Sequence, residues 1–161
     1  PTTVQMVWTD KGVTFGFRMS EKKADDLRGD TTQRDLGHVW NEDSMELFLD
    51  VEGERVNRYQ IIVNYLNTQF DKYEKKGGWD ADGMKSGVHV GDDYWSLEIY
   101  IPFVDFVNGA TPTPGQVWYG NFVRNRRAGG ARSAQRWSTS YQAKHKDFTA
   151  FGRMTFVEEL E

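Results

Sequence analysis

A polar turn followed by a strand-like run carries the clearest chemical character of this chain. Trp40 stands at the start of the turn, and its indole offers a broad apolar face that can lie against the C–H face of a sugar ring. Glu46, six residues further on, can accept hydrogen bonds from neighbouring hydroxyl groups, and the strand fixes the distance between the two side chains. This combination favours holding a carbohydrate over cutting one.

A hydrolytic alternative requires a second carboxylate. Glu46 alternates with Met45 and Leu47, so it points to the opposite sheet face from these two apolar residues. Glu98 has the same alternating placement in a later strand-like run, which makes it a further candidate ligand-binding residue. A glycoside hydrolase would use Glu46 and Glu98 as a pair of carboxyl groups about 5 to 9.5 Å apart. The sequence leaves their separation in space open.

Arginines are concentrated around Gly129-Gly130 and form a local positive patch on an acidic protein. One interpretation is a solvated loop balanced by the acidic segment 20–36. The other is that some of these guanidinium groups bind an anionic sugar, such as a uronate, by bidentate pairing. The arginines are Arg124, Arg126, Arg127, Arg132 and Arg136.

Metal and haem chemistry receive little support from the sequence. The chain has no cysteine, and its three histidines (His38, His89 and His145) lack metal-ligand spacing. Residues 80–83, Asp-Ala-Asp-Gly, begin like a calcium-binding loop but do not complete the EF-hand pattern. An irregular calcium site built from loop carboxylates stays open, and no metal ligand is assigned. No axial His and Met pair for haem is evident.

The composition limits the class of protein further. A chain of 161 residues fits a single domain with a real core, and we expect one domain over residues 1–161. The net charge of −4 argues against a nucleic-acid partner. No apolar run approaches ~18 residues, so no membrane span is expected. The opening Pro-Thr-Thr, without an initiator Met, favours a domain cut from a larger protein.

Apolar residues that recur at every second position predict strands almost throughout. Residues 4–8 and 13–19, joined by Asp-Lys-Gly, form the clearest hairpin. Segments 20–36 and 75–87 are predicted to be loops, and many short strands separated by turns indicate an all-β, antiparallel β-sandwich. Further strands are predicted at 44–51, 58–65, 68–74, 94–101, 116–126, 134–138 and 151–157.

Five motifs follow one another in a fixed order. They are residues 40–50 (Trp-Asn-Glu-Asp-Ser-Met-Glu-Leu-Phe-Leu-Asp), 59–64 (Tyr-Gln-Ile-Ile-Val-Asn), 95–103 (Trp-Ser-Leu-Glu-Ile-Tyr-Ile-Pro-Phe), 115–124 (Gly-Gln-Val-Trp-Tyr-Gly-Asn-Phe-Val-Arg) and 151–153 (Phe-Gly-Arg). This series resembles the carbohydrate-binding module family 9 and its wider group of relatives. The resemblance covers most of the chain.

The resemblance implies a β-sandwich with jelly-roll-like connections and no catalysis of its own. Such modules are typically attached to polysaccharide-degrading enzymes. The implied partners are therefore a poly- or oligosaccharide and a catalytic domain in the same parent chain. The implied location is secreted or otherwise extracytoplasmic. Structural calcium ions also occur in the family, and no other cofactor is implied.

The resemblance also implies particular ligand contacts. Family members hold a sugar, often at the reducing end of a chain, between two tryptophans surrounded by polar residues. Trp40 matches the first ring, and Glu46 matches a hydrogen-bonding carboxylate. The second ring has three candidates, Trp137, Tyr141 and Phe148. Polar contacts are expected from Arg58 or Gln60 and from Asn121 or Arg124 on neighbouring strands.

Two alternatives to sugar binding come from other classes of protein. The first is a structural or protein-interaction β-sandwich that has no sugar site. The second is a sandwich domain that holds haem or another cofactor. Like the glycoside hydrolase, both remain open at the level of sequence.

Overall fold

The computed structural model describes residues 1–74, 76–109, 111–138 and 147–158. Within these ranges the chain forms strands and single-turn 3-10 helices, which confirms the predicted all-β class. None of the helices in these ranges is long and apolar enough to cross a membrane. The strands are β1 (Thr2–Trp8), β2 (Gly12–Ser20), β3 (Ser44–Asp50), β4 (Tyr59–Asn64), β5 (Gln69–Tyr73), β6 (Lys85–Val90), β7 (Tyr94–Pro102), β8 (Val117–Arg126), β9 (Ser133–Arg136) and β10 (Gly152–Thr155). The 3-10 helices are Ala24–Asp26, Val39–Asn41, Phe103–Asp105, Ala128–Gly130 and Phe148–Ala150.

Two antiparallel sheets form a sandwich, as the sequence predicts. The four-stranded sheet has the order β1-β2-β7-β6. The six-stranded sheet has the order β10-β8-β3-β4-β5, and β9 pairs with a second stretch of β8. The core lies between the two sheets.

Strand alternation decides which residues enter this core. Successive side chains of a strand point to opposite faces, so residues two apart share a face. On β3, Met45, Leu47 and Leu49 lie in the core. Glu46 and Phe48 therefore point to the outer face of the six-stranded sheet, as the alternation predicts.

One strand departs from the sequence prediction. Segment 75–87 is predicted to be a loop, yet Lys85–Val90 forms the edge strand β6 and pairs with β7. Lys85, Gly87 and His89 are exposed, so this strand carries little of the apolar signal on which the prediction depends. Its position is set by the hydrogen-bonded ladder with β7.

A buried ion cluster joins the two sheets. Glu21 directly follows β2, and Arg124 and Arg126 lie on β8. Glu21 Oε2 accepts hydrogen bonds from Arg124 Nη2 at 3.0 Å and Arg126 Nε at 2.5 Å, and Oε1 accepts from Arg126 Nη2 at 2.8 Å. The hydrogen bonds from Arg126 lower the pKa of Glu21, and burial lowers the pKa of Arg124. The cluster therefore ties the end of the inner strand β2 of one sheet to the inner strand β8 of the other.

Candidate functional site

Trp40 lies on the short 3-10 helix Val39–Asn41, just before β3. His38 precedes this helix with a φ of 104°, an uncommon conformation for a residue with a side chain, and it turns the chain into the helix. The Trp40 ring meets the ring of Phe70 edge-on, with 6.0 Å between centroids, and lies 6.0 Å from that of His38. Trp40 nevertheless stays 38% exposed, so part of the indole is open to solvent.

The backbone of this turn is held by an arginine that directly follows β8. Arg127 Nε donates to the carbonyl oxygen of Asn41 at 2.9 Å, and Arg127 Nη2 donates to that of Trp40 at 3.4 Å. Arg127 Nη1 donates to two further backbone carbonyl oxygens, those of Arg126 and Ser133. The guanidinium group thus links the turn that carries Trp40 to the end of β8.

The two acidic residues after Asn41 are buried rather than solvated. Asp43 accepts hydrogen bonds from the backbone N–H groups of Arg28 at 2.8 Å and Arg127 at 2.9 Å. Glu42 accepts from Asn64 Nδ2 at 2.7 Å. Glu42 also accepts from the backbone N–H groups of Asp30 and Thr31, so both carboxylates hold neighbouring loops beside the Trp40 turn.

Glu46 is the buried carboxylate of the outer face. It is only 3% exposed. Its Oε2 accepts from Gln60 Nε2 at 3.0 Å, and its Oε1 accepts from Asn125 Nδ2 at 2.7 Å. A carboxylate has about four lone-pair sites, so two are left for other donors. The two amides fix the orientation of the group and leave it able to accept further hydrogen bonds.

These groups surround a cavity of about 440 Å³, which lies within the range of ~300–1,000 Å³ typical of small-ligand sites. We call it the Trp40 cavity. It combines an exposed indole, a buried carboxylate, two amides and several charged groups at its rim. It is lined by Trp40, Glu46, Phe48, Arg58, Gln60, Lys72, Glu74, Asn125 and Arg127.

Aromatic residues close one end of the Trp40 cavity. Phe48 packs on Phe151 at 6.4 Å between ring centroids, and Phe148 packs on Phe151 at 5.1 Å. The guanidinium of Arg58 lies 5.2 Å from the Phe148 ring centroid and forms an ion pair with Glu74. Phe148 therefore contacts Arg58, which lines this end of the cavity, but Phe148 does not line the cavity itself.

Four of the residues predicted from the sequence come together here: Trp40, Glu46, Arg58 and Gln60 all line the Trp40 cavity. Asn121 lies on the same outer face, beside Phe48 on the neighbouring strand. It is fully buried, and its Oδ1 accepts the backbone N–H of Ser138 at 3.0 Å. The structure thus places Asn121 beneath the surface of this face.

The prediction that Arg124 points to the polar face is wrong. Arg124 is 2% exposed and is engaged with Glu21 between the sheets. It stands two residues from Phe122, a core residue, so strand alternation turns both side chains inward. A uronate cannot use Arg124 and Arg126 freely, because both guanidinium groups already pair with Glu21.

Glu98 and Trp137 also lie away from the Trp40 cavity. Glu98 is on β7 of the four-stranded sheet and is exposed on its outer face. The core therefore separates Glu98 from Glu46, and these two carboxylates cannot act as a glycosidase pair. Trp137 packs on the core ring of Phe122, at 5.1 Å between centroids, and lines a smaller cavity with Met45. Tyr141, the third candidate for a second ring, lies outside the described residues.

Five residues that line the Trp40 cavity were not predicted as contacts on this face, and of these Arg127 was named only as a member of the arginine patch. They are Phe48, Lys72, Glu74, Asn125 and Arg127. A signal for Asn125 exists in the sequence, because it has the same strand parity as Asn121. Lys72 and Arg127 could not be found in this way. Their positions depend on the pairing of β4 with β5 and on the loop that follows β8.

A separate group of loop carboxylates has the donor type that calcium prefers. Asp35, Asp71 and Asp80 offer oxygen atoms that all lie within 4.8 Å of one another. Arg34 Nη2 lies 2.6 Å from Asp71 Oδ1, and Arg34 Nε lies 3.3 Å from Asp35 Oδ2. Burial raises the pKa of Asp71. The donor set fits calcium, and Arg34 supplies one positive charge among these carboxylates.

Two antiparallel sheets with an aromatic and polar cavity on one outer face define a β-sandwich binding domain. The family model described as "Carbohydrate family 9 binding domain-like" matches residues 2–159, and the chain belongs to this family. The sequence-based resemblance to family 9 is thereby confirmed. Among curated proteins, none matches the chain significantly.

Solved structures share the fold at low sequence identity. A family 9 carbohydrate-binding module from Caldicellulosiruptor kristjanssonii in complex with glucose has a TM-score of 0.74 and 17% identity, over 98% of this chain and 78% of that one. The complex of a family 9 module from the same organism with cellotriose has a TM-score of 0.72 and 16% identity, over 99% and 76% of the two chains.

Proposed function

We propose that this domain binds a carbohydrate at the Trp40 cavity. In this proposal Trp40 stacks on the apolar face of a sugar ring, and Glu46 accepts hydrogen bonds from ring hydroxyls. Gln60 and Asn125 hold the carboxylate in place and present the remaining polar atoms of their amides. Membership of the family and the sugar complexes of the two structural neighbours support this class of ligand.

One observation carries the proposal: a partly exposed indole and a buried, doubly oriented carboxylate line the same cavity. Stacking on the indole alone would accept any flat apolar surface. The Glu46 carboxylate in addition requires a ligand with hydrogen-bond donors next to that surface. Sugar hydroxyls exchange hydrogen bonds with water for similar bonds with protein, so each contributes only about 0.5–1.5 kcal/mol. We therefore expect modest affinity that depends on the correct arrangement of hydroxyls.

We further propose that the domain performs no catalysis and holds an attached enzyme on an extracytoplasmic polysaccharide. Glu46 and Glu98 lie on opposite sides of the core, which supports a domain without a glycosidase pair of these two carboxylates. Glu74 also lines the cavity, but its carboxylate is paired with Arg58. A tethered domain raises the local concentration of its enzyme on the polymer without any new contact, which explains how modest affinity would suffice.

Calorimetric titration with glucose, cellotriose and xylotriose tests the binding proposal. Trp40→Ala should weaken the affinity by about thirtyfold, close to the 2 kcal/mol typical of a central aromatic contact. The matched control is Trp137→Ala, which removes another exposed tryptophan outside the cavity and should leave the affinity nearly unchanged. A Trp40→Ala protein that binds these sugars as tightly as the wild type contradicts the proposal.

The absence of catalysis needs its own assay. Incubation of the domain with cellohexaose and xylohexaose should release no new reducing ends. Release that disappears in Glu46→Gln would instead show that the cavity is an active site.

A further inference from the structure

The outer face of the four-stranded sheet carries a trough that crosses all four strands. Gln5, Gly16, Glu98 and Gly87 lie side by side in register on β1, β2, β7 and β6. Three strand spacings make this row about 14 Å long. Glu98 thus stands between two residues that have no side chain.

Neither the backbone conformation nor close packing requires a glycine at position 16 or at position 87. The ladders run through Gly16 and Gly87 without a break, and neither residue has a positive φ. A Cβ atom built on either one would meet no heavy atom within 4 Å, so close packing does not require glycine. Glycine inside a strand often marks a place where a ligand approaches the backbone closely.

Two large side chains in the neighbouring rows, Arg18 and Tyr100, lean away from the trough. The guanidinium of Arg18 lies 3.4 Å from the ring centroid of Tyr94, on the side away from Glu98. On the other side, Tyr100 leans toward Gly12, where a Cβ atom would lie 2.6 Å from the Tyr100 ring. The row therefore stays open along both sides, as a cavity of about 370 Å³.

The lining suits a neutral ligand that carries hydroxyl groups. Glu98 offers a carboxylate to which no residue in the described part of the chain donates a hydrogen bond, and Gln5 and Ser96 can both donate and accept. Arg18 balances the charge of Glu98 without pairing with it. A negatively charged ligand would be repelled by Glu98, whereas a chain of neutral sugars could place its C–H faces over the bare backbone of the glycines.

We propose that this trough, the Glu98 trough, is a second carbohydrate-binding site and that it takes a neutral oligosaccharide. Glu98 accepts hydroxyl hydrogen bonds, and Gly16 and Gly87 let the sugar approach the sheet. The class of ligand in this inference rests on the proposed function, whereas the location of the trough rests only on the residues of the four-stranded sheet. The trough and the Trp40 cavity lie on opposite faces of the sandwich, so one molecule could contact two glycan chains.

Amide NMR titration with cellohexaose and with xylohexaose separates the two sites. In the wild type and in Trp40→Ala, the amide signals of Gly16, Gly87 and Glu98 should shift with one of these sugars. The shifts should disappear in Gly87→Val, which fills the trough, and weaken in Glu98→Gln. The matched control is Gly77→Val, since a Cβ atom at Gly77 also meets nothing within 4 Å but lies in a loop.

Each pattern of shifts decides one or both proposals. Shifts at Glu46 and Gln60 alone overturn the Glu98 trough and keep the Trp40 cavity. Shifts in the trough alone keep this inference and overturn the cavity. Trough shifts that persist unchanged in Gly87→Val also overturn the inference, and an absence of shifts with both sugars overturns both proposals.

Discussion

Arg127 Nε donates a hydrogen bond of 2.9 Å to the carbonyl oxygen of Asn41, and this bond connects the end of β8 to the turn that carries Trp40. The same guanidinium lines the Trp40 cavity. Through this link, a residue from the arginine-rich segment sets the position of the aromatic platform. The connection joins parts of the chain that are 86 residues apart.

Arg127→Ala should loosen the Trp40 turn and weaken sugar binding. The change removes hydrogen bonds to the carbonyls of Trp40 and Asn41, each with a net value of about 0.5–1.5 kcal/mol, so a loss of affinity of roughly three- to tenfold is expected. Fluorine NMR of 5-fluorotryptophan-labelled protein should show a changed Trp40 signal before sugar is added. Arg132→Ala, at an exposed arginine of the same segment, is the control. An unchanged Trp40 signal together with unchanged affinity in Arg127→Ala contradicts this role.

Glu46→Gln should reduce affinity while preserving shape. The variant must turn its own amide nitrogen toward the donor of either Gln60 or Asn125, which costs one hydrogen bond. Bonds from sugar hydroxyls also lose their charge assistance, which is about half of their strength. We expect about a tenfold weaker Kd by calorimetry, close to 1.4 kcal/mol. Glu74→Gln at the rim should change Kd much less, and equal losses in both variants would argue against a special role for Glu46.

Glu21→Gln should destabilise the fold strongly at neutral pH. The change leaves the buried Arg124 guanidinium without its counter-charge, and breaking a buried ion pair on one side typically costs about 3–5 kcal/mol. Urea denaturation gives the free energy of unfolding directly. Asp26→Asn removes an exposed pair with Arg28 and should have little effect. A Glu21→Gln protein as stable as the wild type would show that the cluster contributes no net stability.

Acid should remove the contribution of Glu21 to the stability of the wild type. The pKa of Glu21 is lowered in the folded state, so the ionised form stabilises the fold above the ordinary glutamate pKa of about 4.5. This stability is lost as the pH falls through the lowered pKa. Burial raises the pKa of Asp71 and of Asp105, so these two groups change the stability in the opposite direction. Their protonated forms favour the folded state, and this stabilisation is lost as the pH rises. The difference in unfolding free energy between wild type and Glu21→Gln isolates Glu21. It should shrink below about pH 4.5, and a constant difference down to pH 3 contradicts the assignment.

Calcium should stabilise the domain through Asp35, Asp71 and Asp80. A divalent ion offsets three carboxylates better than the single guanidinium of Arg34. At ten times its Kd, calcium would add about 1.4 kcal/mol, or roughly 3–6 °C in melting temperature. Asp80→Asn should abolish the rise, and Asp92→Asn, at an exposed aspartate outside this group, should keep it. No rise at about 10 mM calcium, above the ~1 mM range of many extracellular modules, excludes binding at this group.

Local alternation explains what the sequence could predict of the site. The period of two in β3 places Glu46 and Phe48 on the outer face, and the same rule assigns Gln60 once its strand is known. The same alternation assigns Arg124 to the core face, because it stands two residues after the core residue Phe122. The prediction of a polar contact from Arg124 did not take this into account.

Other parts of the site depend on relationships that no local pattern contains. The hydrogen bond from Asn125 to Glu46 depends on the register of β3 against β8, in which Ser44 lies opposite Asn125. The position of Arg127 depends on a loop after the strand. Glu98 has the correct exposure and alternation for a binding residue, but only the order of the strands shows that it belongs to the other sheet.

The ion cluster at Glu21 has a mechanical consequence. In the proposed role the domain keeps an enzyme on a solid polymer, so it would be pulled whenever the enzyme moves. A sandwich under tension can fail when one sheet slides along the other. Glu21 extends from the four-stranded sheet, and its partners Arg124 and Arg126 belong to β8 of the six-stranded sheet. Sliding must therefore break the hydrogen bonds of both arginines together, at a carboxylate and at an Arg124 guanidinium that are buried from water. Resistance to force would thus be concentrated away from the Trp40 cavity, which leaves the binding surface free to release its sugar first.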